Sequence, residues 1–173
     1  MHLKVSLYSA LILAFPYMIY EVWLFIKPGL YLNEKRISIY FFISSSILFI
    51  AGVLFSYFIV CPISIQFLMN YSLNIEIKNT ISLENYISFL SSLSFAGGFM
   101  FELPVVIFFL AKVGLVTDKL LKSFRKHSII IILFISALIT PPDISSQLIL
   151  SLPLVILYEF SIVIAKTISQ QKA

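Results

Sequence analysis

The run Ile87-Ser88-Phe89-Leu90-Ser91-Ser92-Leu93-Ser94-Phe95-Ala96-Gly97-Gly98-Phe99-Met100-Phe101-Glu102-Leu103-Pro104-Val105-Val106-Ile107-Phe108-Phe109-Leu110-Ala111 decides the fold. A hydrocarbon core of about 30 Å is crossed by about 20 apolar residues rising 1.5 Å each. This run exceeds that length and carries one ionisable residue, Glu102. On either side of it, three more windows of similar character run from Val5 to Ile26, Ser38 to Val60 and Gln147 to Ala165. A fifth, Ser128 to Ile139, reaches only about 18 Å as a helix. It fits an upright helix in thinned bilayer, a span extended back through Phe124, or a re-entrant hairpin with the last segment. The windows consume nearly all of the 173 residues, of which 60% are hydrophobic and 12% charged, with a mean hydropathy of +1.03. Soluble domains hold about a quarter charged residues. The expectation is therefore a single all-α polytopic membrane domain over 1–173 with about five crossings, the last two short, and not a soluble enzyme.

The remaining composition removes several chemistries. Cys61 stands alone, so there is no internal disulfide, and His2 and His127 are too far apart to form a metal motif. None of the five glycines opens a phosphate loop or a dinucleotide turn, so no cofactor or nucleotide is expected. The net charge of +4 would suggest nucleic acid in a soluble protein. In a membrane protein, topology explains it. With the chain starting outside and crossing five times, every Lys and Arg except Lys4 and Lys78 falls on the inner side, giving an N-out, C-in arrangement. The first window ends in Tyr17, Tyr20, Trp23 and Phe25 and lacks a small-residue cleavage site, so it reads as a retained helix with an interfacial aromatic belt.

Ionisable groups inside apolar spans cost about 2.5–3.5 kcal/mol on insertion scales, which marks them for a function by default. Glu102 is the main case. Gly97 and Gly98 before it admit a close backbone, and Pro104 after it frees the carbonyl of Met100. The place suits either a docking point for a polar residue of a partner helix or cargo path, or a carboxyl bonded within the bundle. Glu159 lies mid-segment beyond Pro153 and can equally be an internal contact that fixes helix packing. Glu21, beside Trp23, can reach water. In the inner loop, Asn33 can cap the following helix with Glu34 in its first turn. Alternatively, Glu34 near the aromatic Phe25 can hold a guanidinium through two parallel hydrogen bonds, which lysine cannot imitate. Thr140-Pro141-Pro142-Asp143 reads as a tight outer turn in which the prolines stop one helix and Asp143 caps the next. Ser82 and Thr117 are further N-cap candidates, with Glu84 and Asp118 in the turns they open. Pro62 to Tyr71 can extend the second helix beyond the bilayer.

Taken in order, these pieces resemble the TatC family, the multi-span receptors of the twin-arginine protein export pathway. The matching runs are Phe15-Pro16, Trp23 to Tyr31 with Glu34-Lys35-Arg36, Phe49 to Tyr57 with Pro62, Phe95 to Pro104, Gly114-Leu115-Val116, Thr140 to Asp143 with Ser146-Gln147, and Leu157-Tyr158-Glu159. The resemblance covers essentially the whole chain. It implies a six-helix family fold with both ends inside, of which this chain would lack the first helix. It also implies transport of folded proteins bearing twin-arginine signal peptides, driven by the proton-motive force, with small single-span partner subunits of the TatA or TatB type and a homo-oligomeric complex in the lipid bilayer. By resemblance, Phe25 and Glu34 fall in the signal-peptide site, Glu102 with Pro104 at a concavity for cargo or partner helices, and Pro141, Pro142 and Asp143 in the last outer loop. The membrane would be a bacterial cytoplasmic membrane or an organellar one, mitochondrial or plastid. Two other classes stay open on the residues alone: a proton- or ion-coupled small-solute transporter using Glu102 and Glu159 as a relay, and a membrane assembly subunit that transports nothing.

Overall fold

A computed structural model describes residues 2–26, 35–70, 82–140 and 143–172. Among them no strand occurs, and the elements are α1 (His2–Ile26), α2 (Lys35–Phe55), a π-helical turn (Ser56–Val60), α3 (Cys61–Asn70), α4 (Leu83–Phe101), α5 (Leu103–Val113), α6 (Asp118–Ser123), α7 (Arg125–Ile139) and α8 (Ile144–Lys172). The π turn joins α2 to α3 without a break, so the second expected window does continue as a helix past Pro62. Four helical stretches, Leu3–Val22, Phe42–Met69, Leu83–Val113 and Ile144–Gln170, are long and apolar enough to cross a membrane. The fifth window is helical from Arg125, and α7 is its 15-residue body. Only Phe124 separates α7 from α6. The last helix is not short. At 29 residues α8 outruns its apolar window, because Thr167, Ser169 and Gln170 end the apolar run without ending the helix.

Local chemistry sets the ends. The Ser82 hydroxyl accepts from the Asn85 amide at 3.3 Å, and the Thr117 hydroxyl from the Leu120 amide at 3.3 Å, as expected of N-caps. Gly114 closes α5 in the left-handed region, φ 89°, where a side chain would be strained.

α2 lies along α4, and α1 touches both; α5, α6 and α7 all lie against α8. Lipid tails are as apolar as leucine, so such helices associate by close packing and not by escape from water. The α2–α4 crossing shows this most plainly. A Cβ at Gly52 would stand 2.7 Å from the Gly97 carbonyl oxygen, one at Gly97 would collide with the Ser56 side chain, and one at Gly98 would meet Val53 at 2.7 Å. Glycine here sets the distance between two backbones. α1 joins through rings: Phe15 stacks on Phe49 at 3.6 Å and 9°, with the edge of Phe99 turned to it at 6.4 Å and 74°. The buried centre on the other side gathers Leu93, Ile107, Leu150, Leu154 and Tyr158.

Candidate functional site

Glu102 sits at the break between α4 and α5. Its amide bonds the Phe99 carbonyl at 3.2 Å in a tightened turn, and its own carbonyl receives the Val105 and Val106 amides at 2.9 and 3.0 Å. Pro104, also buried, lies in the first turn of α5, where the amide it lacks would have no helical partner anyway. The break turns the Glu102 side chain towards α2. There the Ser45 hydroxyl donates to Oε2 at 2.7 Å, and the residue is only 6% exposed. Oε1 is also buried and, among the described residues, has no hydrogen-bond partner. An unsatisfied buried oxygen costs about 1–3 kcal/mol, more if charged. The helices thus bond one oxygen of the carboxyl group and leave the other buried without a donor among the described residues.

Two further polar sites lie on α8. Asp143 is buried and its Oδ2 accepts from the Ser146 amide at 2.6 Å, the expected cap of the last helix. Gln147, a turn later, reaches across to donate Nε2 to the Leu133 carbonyl of α7 at 3.1 Å. About 24 Å along the helix from Asp143, Glu159 is held by Arg125 from the first turn of α7. The guanidinium bonds it at two points, Nε to Oε1 at 2.9 Å and Nη2 to Oε2 at 2.9 Å. Beside that pair, the Tyr158 hydroxyl donates to the Leu121 carbonyl at 2.8 Å, one of the carbonyls that the end of α6 leaves without a helical donor.

The chain as a whole has counterparts in known proteins. The family model described as Sec-independent protein translocase protein (TatC) matches residues 1–153. The chain belongs to the TatC family. The family's Helicobacter pylori J99 protein, named Sec-independent protein translocase protein TatC, is 43% identical over 166 residues, covering 96% of this chain and 66% of that protein. The Aquifex aeolicus member is 40% identical over 171 residues, covering 98% of this chain and 71% of its own length. The crystal structure of the twin-arginine translocase receptor TatC in DDM superposes with a TM-score of 0.78 at 41% identity, over 94% of this chain and 72% of that one. The chain therefore spans about two thirds of the length of such relatives, which are bacterial. Membership makes it a multi-pass integral membrane protein with an all-helical fold.

Against the sequence reading, the structure separates the candidate residues into three places. Glu102 and Pro104 share the α4–α5 break, Asp143 caps α8, and Glu159 is tied to α7. Glu34, Pro141 and Pro142 lie outside the described residues, and Phe25 is placed only as backbone in the last turn of α1. Two partners escaped the sequence reading. Ser45 belongs to the run Ser44-Ser45-Ser46, a polar interruption of an apolar window that signals a buried donor. Arg125 lies almost as far before the Thr140–Asp143 turn as Glu159 lies after it, the arithmetic of two antiparallel arms meeting.

Proposed function

We propose that this chain acts as a receptor subunit of a twin-arginine protein translocase. In this reading residues 1–173 form one membrane domain with its N-terminal side outside and its C-terminal side inside, crossing about five times with α7 as the short crossing. The loop after α1 binds the signal peptide, with Glu34 pairing an arginine guanidinium and Phe25 packing beside it. Glu102 receives a polar group from a single-span partner subunit or from the cargo path, and Asp143 with Pro141 and Pro142 keeps the outer hairpin closed. The energy comes from the proton-motive force acting on the assembled complex, a homo-oligomer of this subunit with TatA- or TatB-type partners.

The observation that carries this reading is the half-satisfied carboxyl at the α4–α5 break, in a chain whose whole length follows the family. A binding point for a second helix needs a buried, pre-aimed acceptor with capacity to spare, and Glu102 Oε1 has it. The relay of a small-solute transporter would need Glu102 and Glu159 both available, yet Arg125 occupies both oxygens of Glu159.

Photo-crosslinkers at positions 25 and 34 test the receptor role in membranes containing the chain and a labelled signal peptide. Crosslinks that form with a twin-arginine peptide, fall with twin-lysine, and weaken in Glu34→Gln support it. Equal crosslinking of both peptides, or none when the longer family protein crosslinks in parallel, rejects it.

A further inference from the structure

The joint between α6 and α7 places positive charge beside the middle of α8. Arg125 meets Glu159 and Leu121 meets Tyr158, so the joint is fastened to the middle of α8 and not to its end. The apolar window of α8 continues to Ala165, about 9 Å beyond Glu159. Cations at the depth of a crossing helix are costly unless paired or met by headgroups. Two are paired within the chain: Arg125 by Glu159, and Lys122 by Asp118 at 3.4 Å. Lys119 and Lys126 are exposed and, among the described residues, have no acidic partner. Lys119 and Lys122, three apart, share one side of α6, and Lys126 lies in the first turn of α7 just past the Phe124 break. Near these lysines in the chain, Leu115, Leu120 and Phe124 are 67%, 44% and 52% exposed, which water would disfavour and acyl chains would not.

We propose that this joint is a docking surface for anionic phospholipid, with Lys119 and Lys126 against headgroup phosphates and Leu115, Leu120 and Phe124 against the acyl chains. Lipid is the occupant because the surface sets unneutralised cations near exposed apolar side chains, and an anionic phospholipid matches both, phosphate to lysine and acyl chain to leucine and phenylalanine. Basic residues at the inner membrane face each favour anionic lipid by about a factor of five. The inference rests on the membrane placement of the chain and not on signal-peptide recognition, so either can fail alone.

The test is native mass spectrometry of the purified full chain released from micelles doped equally with phosphatidylglycerol and phosphatidylcholine. The intact chain should retain phosphatidylglycerol in preference, and Lys119→Gln with Lys126→Gln should lower that preference by about an order of magnitude. Lys4→Gln, at the far N-terminal end of the chain, should leave it unchanged. Leu120→Ser with Phe124→Ser should reduce retention of both lipids. Excess inorganic phosphate, which has the headgroup's charge without chains, should not displace the lipid. Circular dichroism confirms that each variant keeps its helices. Equal retention of the two lipids by the intact chain overturns the proposal, as does a preference that survives loss of both lysines or falls equally with Lys4→Gln. A lysine pair whose loss spares lipid but abolishes peptide capture would make the joint a peptide site instead.

Discussion

The α2–α4 crossing and the α7–α8 hairpin hold helices together by opposite means. At the crossing, backbones touch through Gly52, Gly97 and Gly98, and the polar element, Glu102 with Ser45, is buried inside the contact. The hairpin is tied near its ends and along its length by side chains: Asp143 at the turn, Gln147 across to Leu133, and Arg125 to Glu159. Close backbone packing tolerates no added atoms, whereas side-chain ties can be exchanged one at a time. The first region suits a fixed frame around an aimed carboxyl. The second suits an element whose arms must stay paired but can adjust.

That contrast is broken most severely by filling the seam. Gly52→Ala places a methyl group against the Gly97 carbonyl, a backbone atom that cannot swing away, and should cost about 1–3 kcal/mol. Gly52→Leu should prevent the crossing, seen as loss of folded chain in detergent and a lowered thermal midpoint. Next comes the carboxyl itself. Glu102→Leu removes an unsatisfied buried oxygen and strands the Ser45 hydroxyl, so stability should change by no more than about 1–3 kcal/mol in either direction while transport is lost. Glu102→Gln, which keeps an acceptor for Ser45, should retain more partner binding than Glu102→Leu. In the hairpin, Asp143→Ala should cost about 0.5–2 kcal/mol, the usual loss of an N-cap, with Asp143→Ser recovering most of it in thermal unfolding. The smallest effect belongs to Arg125 and Glu159, both more than 40% exposed. A double-mutant cycle with Arg125→Gln and Glu159→Gln should give a coupling of about 0.2–1 kcal/mol. A coupling several times larger would mean that the hairpin is as rigid as the seam and would erase the distinction.

Much of this architecture is legible in the sequence, because apolar windows and cap residues act locally. The start of α4 at Ser82, the cap at Thr117 and the role of Asp143 follow from short spacings and stand in the structure as expected. Helix ends that no apolar boundary marks do not follow. α8 runs on past Ala165 because helix propensity continues where hydropathy stops, and α7 begins at Arg125 because a charged residue can still occupy a helical turn. The candidate site was half visible. Glu102 announces itself by its cost in an apolar run, but a carboxyl's partner is chosen by the crossing of two distant helices. Ser45 and Ser46 are adjacent serines, and only the rotation of α2 decides that Ser45 donates to Glu102 while the buried Ser46 hydroxyl has no partner among the described residues. Glu159 is legible in part for the same reason: the sequence allows an internal contact that fixes helix packing, but its partner depends on the short α7 bringing Arg125 alongside.

The most direct test of the central claim, that Glu102 is held half-open for a helix from outside the chain, uses Phe99. It lies one turn before Glu102 on α4 and is 62% exposed. A photo-crosslinker at position 99, in membranes that also contain a single-span partner subunit, reports whether a second helix docks there. The account predicts a crosslink that is strong with Glu102, reduced with Glu102→Gln and lost with Glu102→Leu while circular dichroism remains unchanged. A crosslink of equal strength in all three would contradict it, leaving Glu102 as an internal tie of the bundle.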